Sequence, residues 1–169
     1  HSDANNTMRN DNINGTIMLH PHTMQFVINE LPLFVLCTCG YIYAGIANLP
    51  LDGLVFAVSF FLSLCLAYRF VYLKRISYRI GEEQLICEHG VLQRSVDYME
   101  LYRVVDFYEH QNFMQQLCGL KTVSIYSMDR NTPKLNLIGL PNNYEAVNLI
   151  RERVENNKQK KHIYEITNR

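Results

Sequence analysis

The chain has 169 residues, which is enough for one domain of ordinary size with appendages. Its 16 Lys and Arg are balanced by 16 Asp and Glu. This balance argues against a nucleic-acid partner, since general nucleic-acid binders carry a basic excess. The five Cys residues have neither zinc-site nor CxxC spacing, so they are best interpreted as small buried side chains in a reducing compartment.

Residues 1–24 are predicted to form a polar N-terminal tail. Residues 1–12 are mostly polar and carry little structural signal. Met8 is one candidate for the native start of the protein.

The apolar region of the chain lies at residues 25–73 and contains two segments, at about 26–47 and 51–73. Each segment is long enough to cross a bilayer as a helix, at about 1.5 Å per residue. The intervening residues 48–53 contain Asn, Pro, Asp and Gly, which favour a tight turn. The pattern predicts a transmembrane helical hairpin. Buried helices of a soluble protein are the weaker alternative for two adjacent segments this apolar.

Basic residues predict the orientation of the hairpin. They cluster at the end of the second helix, and residues 48–53 contain no Lys or Arg. By the positive-inside rule, both termini are then predicted to be cytoplasmic, and the expected location is the cytoplasmic (inner) membrane. The predicted boundary residues are Arg69, Lys74, Arg75 and Arg79.

Two features inside the apolar segments have alternative interpretations. Glu30 lies near the start of the first helix, where an interfacial role is favoured over that of a functional intramembrane carboxylate. Small residues offer close helix contacts, within the membrane or between copies, or else serve as plain helix filler. These contact candidates are Gly40, Ala44, Gly45 and Ala47.

Residues 74–156 are predicted to form a cytoplasmic domain of six or seven antiparallel strands, because apolar and polar residues alternate between turn residues. One such strand, at 91–99, groups Leu92, Val96 and Tyr98 on one face. The predicted strands are 76–80, 84–89, 91–99, 104–110, 122–127 and 134–140.

A short helix is predicted between two of these strands. Asn112 can cap it, with Gln115 at the third helical position, and Gly119 can end it in the left-handed conformation. Phe113 and Leu117 are four residues apart and share a face, so we expect them to pack on the sheet.

A longer helix follows the last strand. Asn142 and Glu145 resemble a capping box, and Val147, Ile150 and Val154 form one apolar stripe. Residues 157–169 are predicted to be a basic tail. Its lysines suit either a solvated helix end or contact with anionic lipid; they are Lys158, Lys160 and Lys161 in the printed sequence.

This order of patterns resembles a known family, the bacterial pleckstrin-homology (PH)-like domains of membrane-anchored proteins. The resemblance spans about residues 25–155 and implies a seven-stranded barrel or sandwich closed by a C-terminal helix and preceded by two transmembrane helices. The expected class is therefore α+β, mainly β. The residues that carry the resemblance are Gly90, Val91, Arg94, Asp97, Tyr98, Leu101, Arg103, Asp106, Leu117, Gly119, Leu120, Thr122, Val123 and Ile125.

The resemblance implies an interaction module rather than an enzyme. Phosphoinositide-binding PH domains use basic residues around their first hairpin, whereas residues 81–83 here include Glu82 and Glu83, which would repel a polyphosphate. We expect a non-enzymatic scaffold that acts on a protein partner or by self-assembly, and the alternative is a lipid-binding or lipid-handling protein. The candidate partner surface is Tyr108, His110 and Gln116.

No catalytic, cofactor or metal site is predicted. The chain has no Walker loop, GxSxG or HExxH motif. His20 and His22 could ligate a metal, and Cys87 could pair with His89 or His110 as a nucleophile, but a structural role is favoured for all of them.

Overall fold

The computed structural model describes residues 15–46 and 48–167, with side chains as far as residue 162. Helix α1 (Met24–Gly45) and helix α2 (Asp52–Arg75) form an antiparallel hairpin, so both predicted apolar segments are helices. Each is long and apolar enough to cross a membrane. Their large apolar side chains mostly face outward, and those with more than half of their surface exposed include Leu36, Ile42, Phe56, Phe60 and Phe61.

Within the described residues, seven antiparallel strands form two sheets beside the end of the hairpin, and a C-terminal helix packs against them. The chain as a whole is α+β with more helix than strand, because the hairpin and the C-terminal helix are long. The first sheet contains β1 (Ile17–Leu19), β2 (Ser77–Ile80), β3 (Gln84–His89) and β4 (Ser95–Glu100), in that order. The second contains β5 (Val104–His110), β6 (Leu120–Ser127) and β7 (Lys134–Pro141), and a short helix α3 (Phe113–Cys118) lies between β5 and β6.

The core of the domain lies between the two sheets and the C-terminal helix. Alternate residues of the strands point inward, as the period of two predicts. Ile80 and Leu85 come from the first sheet, and Ile125 and Leu137 come from the second; all four are fully buried. Tyr78 is also buried, and its hydroxyl accepts a hydrogen bond from the backbone N–H of Ile138 at 3.1 Å, which satisfies it and joins the two sheets.

Strand β1 was not predicted, because it lies in the polar segment before the hairpin. Ile17 pairs with Ile80 and Leu19 with Tyr78, so a piece of the N-terminal segment completes the first sheet. Leu19 is only 2% exposed. Because α1 and α2 form a hairpin, the segment before α1 returns to the strand that follows α2.

The predicted bounds of the strand at 91–99 were wrong. Residues 91–93 form bends, and β4 begins at Ser95. Leu92 is 91% exposed and Tyr98 is 54% exposed, whereas Met99 is fully buried. Met99 faces the core because it pairs with the buried Leu85 of β3.

The predicted start of the C-terminal helix was also wrong. Helix α4 (Ala146–Thr167) begins four residues after Asn142. The intervening residues form a turn in which the N–H of Asn142 donates to Gly119 O and that of Tyr144 donates to Pro141 O. The apolar stripe is confirmed, since Ile150 and Val154 are buried in the core.

Candidate functional site

The start of α1 and the end of α2 lie side by side and are joined by polar contacts. Arg69 Nη1 donates to both carboxylate oxygens of Glu30, at 2.7 and 2.9 Å. Nearer the domain, Lys74 Nζ donates to Thr23 Oγ1 at 2.9 Å. The Glu30 side chain is largely buried. Pairing with Arg69 therefore explains how a carboxylate is tolerated inside an apolar helix.

The four predicted boundary residues occupy two different elements. Arg69, Lys74 and Arg75 lie in the last two turns of α2, and Arg75 is exposed. Arg79 lies on β2 and forms an ion pair with Glu88 of β3 at 3.2 Å. Arg79 thus belongs to the surface of the first sheet, on the strand that directly follows the hairpin.

The domain contacts the hairpin directly. The N–H of His22 donates to Gly139 O of β7, and the ring of His20 contacts Ile76 O at 3.1 Å. Gln25, in the first turn of α1, accepts a hydrogen bond from Gln115 of α3 at 2.9 Å, and both side chains are buried. These contacts define a hairpin-facing end of the domain, formed by α3, the end of β7 and the end of β3.

A second contact lies at the other helix of the hairpin. Tyr72, in the last turn of α2, contacts His89 Nδ1 at 3.3 Å, and the other ring nitrogen of His89 contacts Asp97 at 3.1 Å. Two of these contacts, Tyr72 with His89 and Gln25 with Gln115, join residues far apart in the chain. No local pattern in the sequence could have found them.

The opposite, distal end of the domain contains the acidic β2–β3 turn and the last half of α4. Asn157 donates to the backbone of Glu82, and Arg153 Nη1 donates to the carbonyls of Ile80 and Gly81. Lys161 lies over the ring of Tyr102, with Nζ 3.4 Å from the centroid. The basic end of α4 therefore lies far from the hairpin.

Two of the three predicted partner-surface residues lie together on β5, at the edge of the second sheet. The rings of Tyr108 and His110 are stacked, with centroids 5.5 Å apart, and both side chains are exposed. On the same outer face, Lys134 lies over the ring of Tyr126 at 5.2 Å. β5 pairs only with β6 among the described strands.

The third partner-surface residue, Gln116, lies on α3 next to this face. Asn112 caps α3 as predicted and forms a capping box with Gln115, with bonds of 2.7 and 3.1 Å, and Gly119 ends α3 with φ of 66°. The predicted packing of Phe113 and Leu117 on the sheet was wrong, because their side chains are 72% and 68% exposed. The buried face of α3 instead presents Gln115 to Gln25 and to Thr122 of β6.

The four helix-contact candidates differ in their surroundings. A Cβ at Gly40 would collide with Ser59 Oγ of α2, so Gly40 permits close packing within the hairpin. Gly45 has nothing within 4 Å of an added Cβ, and Ala44 is half-buried. Ala47 lies outside the described residues.

The residues considered above for catalysis or metal binding include Cys87 and His110, and the structure shows what surrounds each of them. No group of three His, Cys, Asp or Glu side chains suited to a metal occurs within residues 15–46 and 48–167. Burial, with the nearby Asp97 and Glu88, raises the pKa of the Cys87 thiol to about 11. A thiol that stays protonated at neutral pH is a poor nucleophile. His110 lies on the other sheet, stacked on Tyr108.

Comparison with known families decides the relationship. The family model described as "Bacterial PH domain" matches residues 29–154, about three quarters of the chain. The chain belongs to the bacterial PH domain family. The match begins inside α1, so this bacterial PH domain protein resembles its family through the hairpin as well as through the sheets. No curated protein and no solved structure gives a significant match to the chain.

Proposed function

We propose that this bacterial PH domain protein is a non-enzymatic interaction module anchored in the cytoplasmic membrane, acting through a protein partner or through self-assembly. The observation that carries the proposal is the outer face of the second sheet, where the stacked pair Tyr108 and His110 is exposed on an edge strand. An edge strand with exposed aromatic side chains can accept a partner segment by strand addition.

The anchoring is supported by the outward faces of α1 and α2. Phe56, Phe60 and Phe61 are each more than half exposed, on a helix that carries apolar residues on every side. Such a helix suits lipid rather than water. We propose that both termini and the domain are cytoplasmic, because Lys74 and Arg75 lie at the domain end of α2 and residues 48–53 contain no basic residue.

We also propose the division of the chain that the sequence predicts. The N-terminal tail covers residues 1–24, the hairpin 25–73, the domain 74–156 and the basic tail 157–169. Strand β1 joins the domain from the N-terminal tail, and α4 continues into the basic tail.

A protein partner is favoured over a lipid headgroup at the distal end. Glu82 and Glu83 form the β2–β3 turn, and the shallow clefts beside it have mixed charge. Lys161 is held over Tyr102. Glu83 lines the same cleft as Lys160 and Lys161. Its carboxylate weakens the attraction of this cleft for a polyphosphate headgroup, so lipid binding is the alternative and not the main proposal.

The test is affinity capture of the intact protein in mild detergent, followed by measurement of its mass in solution. We expect recovery of a reproducible partner or of an oligomer, and its loss in the Tyr108→Ala/His110→Ala double variant. Tyr98→Ala, on the first sheet, is the matched control, because Tyr98 is also exposed but lies on another surface. A protein recovered alone and monomeric would contradict the proposal.

A further inference from the structure

Helix α3 exposes its apolar side chains at an unexpected place. Gln115 is its buried residue, and Phe113 and Leu117 lie on the opposite side of the helix. A six-residue helix that buries a Gln and exposes a Phe and a Leu reverses the arrangement expected of a helix in water. The exposed side therefore suits an apolar environment outside the protein.

The position of α3 indicates what that environment is. Gln115 contacts Gln25 in the first turn of α1, so α3 lies beside the point where α1 begins. Glu30 and Arg69 pair only about one and a half turns further along the hairpin. α3 is thus at the level where the apolar hairpin meets the domain.

A second element carries an exposed apolar residue at the same end. The β3–β4 turn follows His89, which contacts Tyr72 in the last turn of α2. β3 runs toward the hairpin, since it is antiparallel to the β2 strand that leaves α2. Leu92, in this turn, is 91% exposed. Two elements distant in sequence therefore place large apolar side chains at the hairpin-facing end.

We propose that α3 inserts Phe113 and Leu117 into the lipid interface around the hairpin, with Leu92 as a second contact, so that the domain is held against the membrane surface. This inference rests on the proposed membrane anchoring. A short amphipathic helix at a bilayer surface buries its apolar face about 5–10 Å into the headgroup and acyl boundary. The occupant of this face is the lipid bilayer itself.

The chain contains no Trp, which allows a direct test. The full-length Phe113→Trp variant is reconstituted in phosphatidylcholine–phosphatidylglycerol vesicles, with and without brominated acyl chains, which quench Trp only at contact. We expect a large loss of Trp emission in brominated vesicles and a blue-shifted maximum. Leu117→Trp repeats the measurement one turn away and guards against a local defect at position 113.

Two further variants separate the possible failures. Phe61→Trp, on the outward face of α2, should be quenched if the hairpin is in the bilayer. Met128→Trp should not be quenched, because Met128 is 80% exposed but lies at the far end of β6 from α3. Quenching of Phe61→Trp without quenching at 113 and 117 would overturn this inference alone. A blue shift at 113 without quenching would show a protein contact there, and would also overturn it. If the Phe61→Trp variant were not quenched in brominated vesicles, the proposed membrane anchoring itself would be overturned.

Discussion

At the scale of single residues, the Glu30–Arg69 pair is the strongest polar link inside the hairpin. Glu30→Leu leaves Arg69 without its two hydrogen bonds, and Arg69→Leu leaves a buried carboxylate unpaired. We expect each single variant to lower the thermal unfolding midpoint of the detergent-solubilised protein. The carboxylate left by Arg69→Leu should be the more damaging, because Glu30 is the more buried partner.

The double variant Glu30→Leu/Arg69→Leu separates pairing from packing. Two apolar side chains at these positions remove both charges, which is often neutral in a buried environment. The double variant should therefore recover most of the midpoint lost by either single variant. Additive losses in the double variant would show that the two residues do not act as a pair.

Cys87 gives a pH-dependent prediction. Burial raises its folded-state pKa from 9.0 to about 11, so its contribution to stability is complete below pH 9 and is lost as the pH rises toward 11. Between pH 9 and 10 the unfolded thiol ionises while the folded one does not, which removes about 1 kcal/mol of the free energy of unfolding. Burial also raises the pKa of Tyr78 above its usual 10.0, so Tyr78 adds a smaller loss that begins as the pH approaches 10.

The measurement is the free energy of unfolding in detergent, compared at pH 8, 9 and 10. Cys87→Ala and Cys87→Ser both lack the titrating thiol, and each should show a smaller loss between pH 9 and 10 than the wild-type protein. Their absolute stabilities will differ, because Ser buries a hydroxyl and Ala leaves a space. An unchanged loss in both variants would contradict the burial of this thiol.

At the scale of elements, α3 depends on its two ends. Gly119 has φ of 66°, and an added Cβ would meet nothing within 4 Å. The cost of Gly119→Ala is therefore conformational and amounts to about 1 kcal/mol of unfolding free energy. Gly119→Asn should cost less, because Asn tolerates the left-handed conformation. Equal costs for Ala and Asn, measured by chemical denaturation, would exclude this origin.

The same helix shows how far the sequence leads. Its bounds and caps were predictable, because Asn112, Gln115 and Gly119 act on their own neighbours. The direction of its apolar face was not, because it depends on Gln25, 90 residues away. Spacing tells which residues share a face, but not whether protein or lipid covers that face.

The strands show the same limit: local patterns were predictable, and contacts between distant parts of the chain were not. Alternation located six of the seven strands, because each is long enough to show a period of two. β1 has three residues and lies in a polar segment, so it exists only because β2 offers an edge. Tyr108 and His110 lie two residues apart on β5 and share a face, whereas Gln116 belongs to α3, and its distance from them depends on how α3 packs.

At the scale of the whole molecule, the two basic clusters have different places. Lys74 and Arg75 end the hairpin, whereas Lys158, Lys160 and Lys161 lie toward the distal end on α4. α4 begins near the end of β7 and runs to the β2–β3 turn, which Asn157 contacts. Attraction to lipid headgroups falls off within a Debye length, about 8 Å at physiological salt. The α4 lysines should therefore contribute little to the membrane association or orientation of the protein.

Orientation can be tested by moving charge. Replacing Lys74 and Arg75 with Gln while introducing Pro50→Lys and Leu51→Lys transfers the basic excess to the turn of the hairpin. By the positive-inside rule, a C-terminal reporter that is active only in the cytoplasm should then lose activity in a large share of the molecules. The matched control replaces Lys158, Lys160 and Lys161 with Gln and should keep the reporter fully active, since long distal segments do not set topology. A reporter that stays active in the first variant and is lost in the control would place the topogenic charge on α4, against the geometry of the domain.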